Sequence, residues 1–404
     1  MSSLPIPDTD ALAHSARLAA LIRNEIAAND GAIPFSRFME LALYAPGLGY
    51  YSAGARKLGE SGDFVTAPEI GPIFAACIAE SVAPVLQQLG ATALFLELGG
   101  GSGAFAEVAL KRLIELDALP DRYLILEPSA DLRQRQRERL QQNLPAPLFE
   151  LVEWLDGPLP HEWNGVLFAN EVIDALPTPR FAIHNGDVFE EHVIVEGENP
   201  STPTASTLGA GFARTLRPAD SFLSNAVRNV ERGLERAFDE GYRSEVLPQL
   251  PYWIQAVSGG MQRGAMLFVD YGYPRSEFYL PERRDGTLRA YYRHRMHEDP
   301  LRWPGLQDLT ASVDFTALAE AGVAAGFDFA GYCSQASFLL GNGMASVLER
   351  IERMHDLAEQ QRRRNEVKKL TLPSEMGERF QVMGFEKDVE FGVAFLAGDL
   401  SFRL

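Results

Sequence analysis

The strongest constraint on this chain is a run of glycines set between a short apolar segment and an amphipathic one. Leu94-Phe95-Leu96-Glu97-Leu98 leads directly into Gly99-Gly100-Gly101-Ser102-Gly103, and residues 104–117 then carry helical periodicity. Glycine lacks a Cβ and adopts positive φ at little cost, so such a loop turns sharply and leaves its backbone open to close approach. The helix behind it aims free N–H groups at the same place. A short apolar run bounded by glycines reads as a strand buried on both faces, which requires a parallel sheet covered by helices.

The rest of the sequence supplies that sheet. Further strands are expected at 123–127, 148–152, 165–170, 266–270, 327–332 and 390–397, with helices at 72–88, 129–142, 314–325 and 344–369. This β-α-β-α-β order implies a mostly parallel α/β sheet with helices on both faces. Two insertions interrupt it, at about 180–262 and 271–311. The first opens on a hairpin, 181–184 and 188–195, turned at Asn185-Gly186. The expected organisation is a helical N-terminal region, 1–90, carrying an active-site loop, followed by the core, 91–404.

Charge narrows the class of partner. Acidic residues outnumber basic ones 55 to 37 across 404 residues, a net charge of −18. Such a surface repels nucleic acid and anionic lipid, and suits a basic partner or a cationic side chain. Cys77 and Cys333 form neither a disulfide framework nor a zinc ligand set, and the His294/His297 pair has no third ligand cluster, so no metal is expected. Arg362-Arg363-Arg364 reads as a solvated helix face. No uncharged stretch approaches the ~20 residues that span a bilayer. Asp8 and Asp10 precede the first arginine, Arg17, and no early apolar run reads as a signal, so a cytoplasmic protein is expected.

Ligands of open α/β sheets bind beyond the carboxyl ends of the strands. Two frames fit the glycine loop. Gly101-Ser102-Gly103-Ala104-Phe105-Ala106 matches the dinucleotide fingerprint. Glu97-x-Gly99-x-Gly101-x-Gly103 resembles the first motif of class I S-adenosylmethionine (SAM) methyltransferases, and this frame explains more. SAM carries an ammonium, a sulfonium and a ribose but no phosphate; Glu97 suits its cationic end. Glu127, ending the next strand, suits the ribose hydroxyls in either frame. The fourth strand ends in Asn170-Glu171 with Asp174 three residues on, so one helical turn could aim both carboxylates the same way. Convergent carboxylates accept the planar N–H groups of a guanidinium. Asp63, Thr66, Pro68 and Glu69 form a second polar loop before a helix, and Asp270-Tyr271-Gly272-Tyr273 ends the fifth strand. For Asp63, Glu69 and Asp174, helix capping and turn formation are the competing reading.

Several motifs together resemble one family. They are Gly62-Asp63-Phe64-Val65-Thr66-Ala67-Pro68-Glu69-Ile70, the glycine loop, Asn170-Glu171-Val172-Ile173-Asp174-Ala175-Leu176-Pro177, Asp308-Leu309-Thr310-Ala311-Ser312-Val313-Asp314-Phe315 and Pro373-Ser374-Glu375-Met376-Gly377-Glu378-Arg379-Phe380. In this order they resemble the MidA family of SAM-dependent methyltransferases, whose mitochondrial members assist respiratory complex I assembly. The resemblance implies a class I methyltransferase (Rossmann-like) fold with a seven-stranded sheet and SAM as cofactor. It also implies methylation of a protein arginine, with symmetric dimethylation of a complex I subunit in the mitochondrial members. The chain has Val172-Ile173 where their signature commonly carries aromatic residues. The expected cofactor-binding residues are Glu97, Gly99, Gly101, Gly103, Glu127, Asn170, Thr66 and Pro68; the expected catalytic residues are Glu171, Asp174, Asp63 and Glu69. Methylation of RNA or a small molecule, and a SAM-binding assembly chaperone without transfer activity, are the alternatives.

Overall fold

The computed structural model describes residues 4–52, 66–159, 161–197 and 211–404. The chain divides into two compact units. One comprises Met1–Phe64, Asp174–Pro248 and Arg275–Ser312; the other comprises Val65–Ile173, Gln249–Pro274 and Val313–Leu404. The stretch 1–90 is thus shared between them; the second interruption from Arg275 and the first as far as Pro248 belong with Met1–Phe64, whereas 249–262 belongs to the second unit.

The second unit holds the large sheet. Its strands are β1 (Leu94–Leu98), β2 (Arg122–Leu126), β3 (Val152–Leu155), β4 (Trp163–Asn170), β5 (Met261–Tyr273), β6 (Asp328–Ser334) and β7 (Phe380–Lys387). They run in the order β6-β7-β5-β4-β1-β2-β3, and a two-residue strand, Val313–Asp314, pairs with the end of β5. From β5 to β3 every pairing is parallel, and only β7 runs antiparallel to its neighbours β5 and β6. This is the mostly parallel class I methyltransferase sheet expected. The strand order reverses at β1 and β4, so a crevice opens beyond their carboxyl ends.

Alternation along the strands places helices on both faces. Phe168 of β4 stacks on Phe105 (centroids 4.2 Å apart, 18° between planes), which lies on α2 (Ala104–Glu115). Phe74 of α1 (Ile73–Leu89) packs on the same face. Phe268 of β5 faces the other way, toward Trp253 and Phe385. A further helix, α3 (Ala130–Asn143), follows β2 and contributes Leu140 to the core.

Three expected elements are displaced. The last strand is Phe380–Lys387, not 390–397; the apolar residues Phe391, Ala394 and Phe395 instead fold back as a buried clamp. Phe395 lies over Gly331 and Gly384, where a side chain on either glycine would meet its ring. The strand expected at 148–152 begins at Val152, because proline opens a short helix at Ala146–Phe149. The charged helix at 344–369 is two helices, Met344–Glu352 and Leu357–Thr371, the second capped by Asp356.

The first unit carries a five-stranded antiparallel sheet made from Ile33–Pro34, Arg180–His184, Asp187–Val195, Phe212–Pro218 and Arg243–Glu245. The Asn185-Gly186 turn has positive φ at both residues, as a tight hairpin turn requires. A second, three-stranded sheet is formed by Arg289–Tyr292, Arg295–His297 and Asp308–Thr310. Its core gathers Leu18, Ile22, Phe35, Phe38, Val193 and Leu309. Among the described residues no helix is long and apolar enough to cross a membrane.

Candidate functional site

The glycine loop connects β1 to α2 in the second unit. Gly99, Gly101 and Gly103 have φ of +67°, +53° and +80°, so the loop uses the left-handed region at every second residue. Gly99 is exposed. A side chain there would start 3.0 Å from Val172 Cγ2, and one at Gly100 would start 2.9 Å from Ile125 Cγ2. The loop is held from below by Gln136 of α3. This fully buried side chain donates to Gly101 O (2.9 Å) and accepts from Trp154 Nε1 (2.8 Å).

Two buried carboxylates flank the loop. Glu97 accepts the phenol of Tyr123 at 2.8 Å, and burial pushes its carboxyl up to about 8. The Tyr123 bond pulls in the opposite direction, and the charge of Glu127 adds to the rise. Glu127 accepts Ser129 N–H at 3.0 Å and lies 3.4 Å from Gln136 Nε2; burial raises it to about 7. Bonds from Ser129, Gln136 and the Gly101 N–H, with the nearby Arg133 cation, offset part of that rise. Both groups are therefore poised to become fully charged when a cation or hydroxyl donors come within reach.

At the end of β4, Asn170 Nδ2 donates to Glu171 Oε1 (3.2 Å), while Asn170 Oδ1 is buried without a hydrogen-bond partner among the described residues. Glu171 has φ of +54°, an uncommon conformation for a residue with a side chain. Asp270, three residues before the end of β5, supports this turn: its Oδ2 accepts Ile173 N–H (3.1 Å) and its Oδ1 accepts Tyr271 N–H (2.9 Å). Thr66 holds the N-cap position of the short helix Ala67–Ile70 without a side-chain capping bond, and Pro68 lies in that helix's first turn. Glu69, on that helix, accepts the hydroxyl of Ser102 in the glycine loop. The second unit thus brings Glu97, Gly99, Gly101, Gly103 and Glu127 together in one cradle, with Glu69 on its loop.

Asp174 belongs to the first unit, is buried, and its carbonyl accepts Ala311 N–H at 2.9 Å. In the same unit Tyr44 and Tyr51 stack (5.6 Å), and Tyr51 donates to the buried Asp308 at 2.9 Å. Burial, with the charges of Asp308 and Asp174 among its neighbours, holds the Tyr51 phenol well above its ordinary range. Asp63 lies outside the described residues. Tyr123, Gln136 and Ser102 are neighbours of the cradle for which the sequence offered no assignment. Gln136 alone left a trace, as a polar residue one turn before Leu140 on the buried side of an otherwise charged helix. Among the described residues no group of three or more His, Cys, Asp or Glu could hold a metal ion.

The cradle fits SAM. Its glycines leave backbone exposed where side chains would intrude, Asn170 Oδ1 offers an uncommitted acceptor, and two buried acids suit a cation and a ribose. Comparison with known proteins agrees. A family model described as "Putative S-adenosyl-L-methionine-dependent methyltransferase" matches residues 77–333. The mitochondrial protein arginine methyltransferase NDUFAF7 homolog of Drosophila melanogaster is 28% identical over 401 residues, spanning 91% of this chain and 84% of that protein. Its Danio rerio counterpart is 29% identical over 387 residues, spanning 87% and 82%. A crystal structure from Burkholderia thailandensis, bound to S-adenosyl-homocysteine, is 42% identical with a TM-score of 0.88 and covers 100% of both chains.

Proposed function

The chain belongs to the MidA-type family of SAM-dependent methyltransferases, with SAM as its cofactor, and we propose that its methyl acceptor is an arginine side chain of a protein. The observation that carries the arginine reading is the agreement of its relatives: proteins matching 87–91% of the chain are named protein arginine methyltransferases. The net charge of −18 and Glu171, which directly follows β4, support it.

Gly99, Gly101 and Gly103 form the cofactor cradle, Glu127 takes the ribose hydroxyls, and Glu97 and Asn170 serve the cationic end. When bound, the cofactor supplies a methyl group on a sulfonium, an electrophile that needs only an aligned nucleophile. Everything else falls to the chain's own side chains. Glu171 orients the guanidinium and restrains its rotation. A protonated guanidinium has no free lone pair, so a carboxylate there also holds the proton that the acceptor nitrogen sheds. Symmetric dimethylation, and a respiratory-complex subunit as acceptor, are the finer reading that the family resemblance supports.

The test is a labelling experiment. Purified protein is given tritiated methyl-SAM and a lysate of a strain lacking it, and the labelled protein is hydrolysed in acid. Label is expected in methylarginine. Label in RNA, in a small molecule or in another amino acid would overturn the arginine reading.

A further inference from the structure

The residue placed most differently from expectation is Glu69. The sequence pairs it with Asp63 as an acceptor-side acid, yet its carboxylate accepts the hydroxyl of Ser102, between the left-handed Gly101 and Gly103. The hydroxyl has one proton, and Glu69 takes it. Arg139 Nη1 donates to the same oxygen at 3.1 Å, while Arg139 Nε is held by Glu107 Oε2 at 2.8 Å. The Ser102 hydroxyl is therefore engaged both as donor and as acceptor, and its orientation is fixed only while both partners are present. The segment bearing Glu69 is itself pinned further along. Ile73 N–H donates to the buried Glu366 at 2.6 Å, and Arg363 holds Glu366 at 2.6 Å. Gly71 leaves no room for a side chain against that carboxylate.

We propose that Glu69 is a cofactor-side positioning residue, which fixes the glycine loop through Ser102 in the conformation that receives SAM. The proposal rests on the reading of this loop as the SAM cradle and is independent of what the acceptor is. A flexible loop sampling several conformations binds with an affinity reduced by the fraction that is competent. Gln136 and Glu127 restrain the Gly101 peptide from the sheet side. Glu69 and Arg139 restrain the next residue through its side chain. Removing either partner of the Glu69–Ser102 bond frees the same peptide, so the two losses are one loss.

A double-mutant cycle on S-adenosyl-homocysteine affinity, read by calorimetry, tests this without any acceptor. Glu69→Ala and Ser102→Ala are each expected to raise Kd about tenfold, and the double variant no further than either single one. Glu69→Gln keeps an acceptor oxygen for the Ser102 hydroxyl and should stay within about threefold of the wild type. Multiplicative effects in the double variant would overturn the coupling. A Glu69→Ala protein that binds like the wild type would overturn the proposal outright: lost turnover would return Glu69 to the acceptor side, and only a lower Tm would make it a structural residue. Failure of the arginine reading would appear only in the labelling experiment and leave these Kd values untouched.

Discussion

At the scale of single residues, Glu97 and Glu127 stand out beside the glycine loop as two buried acids raised to about 8 and about 7. In the unfolded chain both titrate in the ordinary carboxylate range. The stability they contribute is therefore fully present below that range and is lost as pH rises through 7 to 8. The ligand-free protein should lose Tm across that window, and Glu127→Gln, which cannot ionise, should flatten the fall. A cation placed beside these acids favours their charged forms, so SAM binding near pH 7 should release protons. Calorimetry in two buffers of different ionisation enthalpy measures that release; a buffer-independent enthalpy would show that neither acid responds to the ligand. Glu127→Ala should also weaken SAM by about 1–3 kcal/mol, the usual cost of losing hydrogen bonds to a charged group. These two acids and the glycines were legible in the sequence because loop chemistry restricts them locally. Tyr123 and Gln136 were not, since a phenol below Glu97 and an amide below Gly101 follow from strand register and helix rotation.

At the scale of elements, Asp270 joins β5 to the turn that carries Glu171. Its two oxygens serve different donors, Oδ2 the Ile173 N–H and Oδ1 the Tyr271 N–H. Asparagine has one acceptor oxygen, so Asp270→Asn keeps one of these bonds and Asp270→Ala keeps neither. Each buried N–H left without an acceptor costs about 1–3 kcal/mol. Thermal melts should therefore rank wild type above Asn above Ala. Because Glu171 precedes Ile173 by two residues in a left-handed conformation, methyl transfer should fall further than SAM affinity in both variants. Equal losses of affinity and transfer would mean that Asp270 supports the sheet and not the turn. Most elements of the sheet were legible, because their apolar runs are short and bounded by glycine, proline or charged residues. The final strand was not: Gly384 and Gln381 interrupt the apolar pattern of Phe380–Lys387, while Phe391 and Phe395 look like strand residues and serve as a clamp.

At the scale of the molecule, one unit is assembled from three separate stretches of chain, an arrangement that no local pattern announces. All three meet at Arg180. Its guanidinium lies 5.9 Å from the Phe35 ring, 3.7 Å from Glu191, 3.6 Å from Glu245 and 2.7 Å from Asp285. Arg180, Glu191 and Glu245 are each about 98% or more buried, on three strands of the antiparallel sheet. Glu245 also accepts Thr287 N–H at 2.7 Å, which ties the sheet to the stretch 275–312 a second time. In the sequence Arg180 is only an arginine after Pro179, at the mouth of an expected insertion. Burying such a cluster costs desolvation that its attractions roughly repay, so its presence adds little net stability, but removing one partner strands the opposite charge. Arg180→Met keeps the bulk of the stem and leaves Glu245 without its cation, which should cost about 3–5 kcal/mol. Hydrogen exchange locates the effect. Protection should drop along Arg180–His184, Asp187–Val195 and Arg243–Glu245, and persist in Met261–Tyr273 of the parallel sheet, if the ion cluster is what joins the three stretches. Uniform loss of protection across both sheets would instead mean that the two units unfold as one and that Arg180 supports the whole chain.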